Sequence, residues 1–160
     1  MVCTLRTVVR PLLPGVQSRT PDLTTHKIDM STKTNTKYWI VGASFEGDPQ
    51  DKRFVEQGFW MLGWEEGNQP LKAAEIEPGD RIAIKRLRGK AQKGIRIMHI
   101  GVVKGVIKDT NKVICTVDWA AKDLDRVIAE SGGCFASVHG PYTKADNPTT
   151  KQWIEEIFSL

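Results

Sequence analysis

Ile95-Arg96-Ile97-Met98-His99-Ile100-Gly101-Val102-Val103-Lys104-Gly105-Val106-Ile107, a polar break from Lys108 to Lys112, then Val113-Ile114-Cys115-Thr116-Val117-Asp118-Trp119, is the stretch on which the fold turns. Its first part is β-branched and long for a flat strand, so a bend is expected near Gly101 or Gly105. Asp109 to Lys112 makes a polar turn. In the last part Val113, Cys115, Val117 and Trp119 share one face by the two-residue period of a strand, which marks Cys115 as a small buried hydrophobe. Long strands joined this way imply a small β-barrel or a strongly curved sheet.

Working outward, Asp80 to Leu87 is expected to be a strand with Ile82 and Ile84 on one face, and Tyr38 to Gly42 a strand by its aromatic and β-branched content. Asp48 followed by Pro49 offers an N-cap and first turn for a short helix over 49–57, with Phe54 and Val55 on one face and Gly58 as its stop. Leu124, Val127 and Ile128 fit either a helix or a strand, and Gly132-Gly133 punctuates the chain. Asn147-Pro148 opens a last helix whose Trp153, Ile154, Ile157 and Phe158 form an apolar stripe that should pack on the barrel. The class is α+β: a small curved β-barrel with flanking short helices, one domain over 37–160. Residues 1–36 lack aromatics and any persistent period and are expected to be a flexible leader. Arg6, Arg10 and Arg19 faintly resemble a targeting peptide, but Pro11 and Pro14 break an amphipathic helix, and Met30 is an alternative initiator.

With 160 residues, 40% apolar and 26% charged, the composition is that of one soluble globular domain. Such a domain buries roughly 70% of its unfolded surface, so it needs no disulfide or metal framework. Three widely spaced cysteines argue against a secreted disulfide scaffold and for a reducing, cytoplasmic setting. No apolar run approaches the roughly 20 residues of a membrane span, so no membrane partner is expected. Enzyme parts are missing from the pattern. There is no glycine-rich phosphate loop, Ala83 stands where a nuclease would set an acid before Ile84-Lys85, and His99, His139, Cys115 and Cys134 lack metal-ligand spacing. Neither a catalytic group nor a cofactor or metal is expected.

Charge and aromatic content point to binding instead. Arg81, Lys85, Arg86, Arg88, Lys90, Lys93, Arg96 and Lys104 fall in a window without acids, whereas the rest of the chain carries 15 basic against 19 acidic residues, a balance of −4. That is the electrostatic footprint of a chain that meets phosphate, and a solvated loop is the bland alternative. Trp39, Phe45, Phe59, Trp60, Trp64 and Trp119 gather in or beside the expected barrel, and indole faces stack on nucleobases. The competing expectation is that they are core, which strand parity favours for Trp119. Phe59-Trp60 and Trp64 follow the stop at Gly58 and straddle Gly63, so at least one is expected to line a surface concavity.

The order Tyr38-Trp39-Ile40-Val41-Gly42-Ala43-Ser44, Arg53-Phe54-Val55-Glu56-Gln57-Gly58-Phe59-Trp60-Met61-Leu62-Gly63-Trp64, Glu77-Pro78-Gly79-Asp80-Arg81-Ile82-Ala83-Ile84-Lys85, Ile100-Gly101-Val102-Val103 and Thr116-Val117-Asp118-Trp119 resembles the EVE domains of the PUA-like superfamily. The versions at the N-terminus of McrB-type modification-dependent restriction ATPases are the most similar. The resemblance covers roughly 38–119 and only loosely the tail from Cys134. It implies a PUA-like barrel that binds nucleic acid and accepts a flipped, modified base in an aromatic pocket. Trp60 matches the family's tryptophan after the first helix, and Ser44 lies near its small polar position. Gly42-Ala43-Ser44-Phe45 departs from the family's first-strand pattern.

The expected pocket is therefore Trp60 and Trp64 with Ser44 bonding the base edge, Trp39 or Trp119 closing one wall, and His139 as a possible rim residue. Lys85, Arg86, Arg88, Lys90, Lys93 and Arg96 are expected to meet the nucleic-acid backbone, the last several from a mobile loop over 86–96. The partner is nucleic acid, DNA more readily than RNA, and cleavage would need a separate nuclease or ATPase chain. The alternatives are a substrate-docking fragment of a nucleic-acid-modifying or restriction enzyme, and an interaction domain whose core is filled.

Overall fold

The computed structural model describes residues 35–63, 67–89, 92–110, 112–129 and 134–160. The expected leader up to residue 34, Trp64 and Lys90 lie outside the described residues. In chain order the elements are β1 (Tyr38–Gly42), β2 (Ser44–Phe45), β3 (Asp48–Pro49), α1 (Asp51–Gln57), β4 (Phe59–Met61) and α2 (Gln69–Ala73). There follow β5 (Arg81–Leu87), β6 (Ile95–Asp109), β7 (Lys112–Ala121), β8 (Arg126–Ile128), β9 (Val138–Tyr142) and α3 (Pro148–Phe158). The class is α+β, dominated by one sheet.

That sheet runs β4-β7-β6-β5-β1-β9, with β8 beside the first residues of β6. Tyr38–Gly42 and Arg81–Lys85 pair in parallel, and the other pairings among the described residues are antiparallel. Of the expected small curved β-barrel with flanking short helices, the structure gives the α+β class and one dominant sheet with short helices; among the described residues no pairing joins β4 to β9. β4 has three residues and a partner on one side only, and Pro141 gives β9 a position without a backbone donor, which suits an edge.

The bends do fall where glycine allows them. The β6–β7 register shifts between Ile100 and Gly101 and again between Val103 and Gly105. A Cβ on Gly101 would stand 2.5 Å from Val117 Cγ1 and 2.8 Å from the Asp118 carbonyl, so the neighbouring strand comes this close only to a glycine. A third shift, where Ile84 and Lys85 face His99 and Ile97, leaves Met98 of β6 as the extra residue of a bulge.

Strand alternation sorts side chains into two cores. Trp39, Val41, Ile82, Ile84, Val113, Cys115, Val117 and Trp119 meet Phe54, Trp60 and Ala73 on one face. Ile40, Ala83, Ile95, Ile97, Ile100 and Ile128 meet Ile157 of α3 on the other. Burying each such side chain stabilises the fold by about 1.5–3 kcal/mol. α3 begins as expected, with the Asn147 side chain accepting from the Thr150 N–H at 2.8 Å. Its last carbonyls are held by Arg126 of β8, which donates to Ile157 O at 3.0 Å.

Two local readings change. Asp48 and Pro49 belong to β3, because Glu46 and Gly47 at positive φ (49° and 88°) turn the chain back onto Ser44–Phe45 as a hairpin. α1 consequently begins at Asp51 after Gln50, and Gly58 ends it in the left-handed conformation as expected. The loop expected over 86–96 is corrected at both ends, since Arg86 and Arg96 are register partners within β5 and β6. Residues 126–128 settle as strand, and α2 was not foreseen. Among the described residues no helix is long and apolar enough to cross a membrane.

Candidate functional site

Of the tryptophans expected to build the pocket, Trp39, Trp60 and Trp119 are in the core, and Trp64 lies outside the described residues. Trp39 and Trp60 are 0% exposed and Trp119 is 7% exposed. Each indole N–H is committed inside the fold: Trp39 donates to Asp80 Oδ2 at 2.9 Å, Trp60 to the Gly42 carbonyl at 2.9 Å, Trp119 to the Phe54 carbonyl at 3.2 Å. This corrects the expectation that Trp60 lines a surface concavity. A buried indole usually finds an acceptor, and these three find one that ties neighbouring elements together, whereas the buried Nε1 of Trp153 has none among the described residues.

An open cleft of about 270 Å³ lies where parallel β1 and β5 end side by side, at the register pair Gly42 and Lys85. Ser44, Asp51, Lys85, Arg86, Leu87 and Phe135 contribute to its walls. Two backbone bonds brace it: Gly42 N–H to Ser137 O at 2.8 Å and Gln50 N–H to Ala43 O at 2.7 Å. Trp60 holds the Gly42 carbonyl from the core, so it supports this wall without lining it. Ser44 is exposed at the rim, where the sequence placed it. Phe135, 78% exposed, is an aromatic that sequence reasoning missed.

The charges of the cleft divide into a satisfied group and an unsatisfied one. Asp51 is buried at the start of α1, and Arg86 Nη2 reaches both its oxygens at 2.7 Å. His99 Nδ1 accepts the Asp123 backbone N–H at 3.1 Å, which leaves Nε2 to donate toward Asp51 Oδ2 at 3.3 Å. Burial by itself would raise the Asp51 carboxyl, but Arg86 and His99 outweigh it and hold it below the usual carboxylate value. Lys85 is only 6% exposed, and burial draws its ammonium below the usual lysine value. Among the described residues it has neither an ion-pair nor a hydrogen-bond partner.

His139, the expected rim residue, does not line the cleft. It sits in β9 opposite Ile40, and burial together with the charges of Lys85 and Lys72 pushes its ring down to about 4, so it is neutral at pH 7. Of the six expected backbone contacts Lys90 lies outside the described residues, and the other five are engaged differently. Lys85 faces the cleft, Arg86 is bound to Asp51, and Arg96 grips Asp125 at 2.6 and 2.7 Å. Arg88 spans its own loop to the Lys93 carbonyl at 3.0 Å, and Lys93 is exposed. Arg88 and Lys93 follow the cleft residue Leu87 in the chain. Among the described residues no cluster of His, Cys, Asp and Glu could hold a metal.

Comparison with protein-family models and with curated proteins returns no match for this chain.

Proposed function

We propose that this chain is a non-catalytic nucleic-acid-binding module of the PUA-like, EVE type, which takes a flipped, modified base into the cleft between Ser44 and Phe135. DNA is favoured over RNA, the setting is cytoplasmic, and any cleavage falls to a separate nuclease or ATPase chain. The observation that carries the reading is the make-up of that cleft: an exposed aromatic ring, an exposed hydroxyl and a buried cation on one open concavity. Flipping costs a few kcal/mol of unstacking. Stacking on Phe135 would return about 1–3 kcal/mol, and phosphate contacts from Arg88 and Lys93 beside the cleft would supply the rest. Selectivity for a modified base needs more than a buried methyl group, worth about 0.8 kcal/mol, so a polar group such as Ser44 must go unpaired against the wrong base.

The test is a fluorescence titration of matched oligonucleotides that differ in one base, unmodified, 5-methylcytosine or N6-methyladenine, at fixed salt. Phe135→Ala should weaken binding by about 1–3 kcal/mol while leaving folding stability within about 0.5 kcal/mol. Ser44→Ala should narrow the preference for the modified base. Equal binding of modified and unmodified strands by the wild type overturns the reading.

A further inference from the structure

Lys85 is the one charge lining the cleft that the described fold leaves unanswered. Its stem is buried, while its ammonium keeps contact with solvent through the open cleft. The neighbouring groups do not answer it. Asp51 is already engaged by Arg86 on both oxygens and by His99 on one. The Cys134 thiol is pushed up by burial and stays protonated, and His139 is neutral. The Arg86–Asp51 pair is neutral as a unit, so the cleft as a whole carries the charge of Lys85. The same cleft is lined by Ser44 and Ser137, whose hydroxyls are hydrogen-bonding groups without charge.

We propose that Lys85 receives an oxyanion of the ligand, and, resting on the reading above, that this oxyanion is the phosphate of the nucleotide whose base enters the cleft. An ammonium with three donors suits a phosphate as a point charge. The site would then select nucleotides over nucleosides before any base is read. Inorganic phosphate would occupy it weakly.

The experiment uses the full chain and three probes: a nucleoside, its 5′-monophosphate, and inorganic phosphate with acetate as the carboxylate control. The wild type should bind the monophosphate about ten- to a hundredfold tighter than the nucleoside, the span expected of a hydrogen bond to a charged group. Lys85→Met should erase that ratio without weakening the nucleoside. In wild-type protein, independent of how the variant folds, phosphate should shift the Lys85 side-chain NMR signals saturably. A wild type that does not distinguish monophosphate from nucleoside, yet prefers modified oligonucleotides, overturns the phosphate assignment and leaves the base-reading proposal standing. Saturable phosphate or acetate binding at Lys85 with no oligonucleotide binding supports the oxyanion site and overturns its assignment to a nucleotide. Silence of the Lys85 signals toward every probe overturns the inference entirely.

Discussion

The tryptophan core and the cleft beside it share the end of β1, yet they treat polar groups in opposite ways. In the core each indole N–H of Trp39, Trp60 and Trp119 ends on a carboxylate or carbonyl within 3.2 Å. In the cleft, one shell away through the Gly42 carbonyl, Lys85 is nearly as buried and has no partner among the described residues. These three tryptophans hold elements together, and among the described residues of the cleft the groups open to a ligand include a cation, a hydroxyl and an exposed ring. A concentration of tryptophan is thus a poor guide to where a base would stack, because the same large apolar face that binds ligands also fills cores.

The strongest challenge to that division is Trp60→Ala. Removing a fully buried indole should lower stability by about 3–5 kcal/mol, read as a drop in the denaturation midpoint. Trp60→Phe keeps most of the volume and orphans only the Gly42 carbonyl, so about 1–3 kcal/mol is expected. A Trp60→Ala protein of unchanged stability but weakened ligand binding would dissolve the distinction between core and cleft.

Asp51 joins the two regions, and its titration should be visible. Its folded pKa is depressed below the unfolded value of about 3.9. The stabilisation is therefore present in full above that unfolded value and is lost as pH falls through the folded one. Asp51→Asn should cost about 2 kcal/mol at pH 7, less than a fully buried pair because the Arg86 side chain is 42% exposed. The penalty should shrink in acid, which urea titrations at pH 7 and pH 3 would compare. A pH-independent penalty would mean that the Asp51 charge contributes nothing.

Cations outside the cleft sharpen the comparison further. Replacing Arg88 and Lys93 by Gln should reduce the salt dependence of oligonucleotide binding by up to about two phosphate contacts' worth of slope while the preference for a modified base survives. The smallest effect is expected at Arg96. Its pair with Asp125 is exposed on both sides, so Arg96→Gln should change stability by no more than about 1 kcal/mol and leave the salt slope alone. A changed slope would return Arg96 to the binding surface.

Local periodicity and glycine placement were legible in the chain itself. The face shared by Val113, Cys115, Val117 and Trp119, the bends at Gly101 and Gly105, the stop at Gly58 and the Asn147 cap each follow from interactions within a few residues or from the fixed two-residue period of a strand. Short-range signals failed where a remote partner outbid them. Asp48-Pro49 would start a helix in isolation, but the hairpin with Ser44–Phe45 claims it. Arg86 and Arg96 look like solvated loop cations until Asp51 and Asp125 come within reach, 35 and 29 positions away along the chain. Nor does any local pattern say that Phe135 stays outside while Trp60 is sealed in, or that Lys85 reaches the end of β5 with no carboxylate opposite. Those outcomes depend on which surfaces two cores happen to cover, and burial is a property of the assembled sheet and helices rather than of any residue's neighbours in the chain.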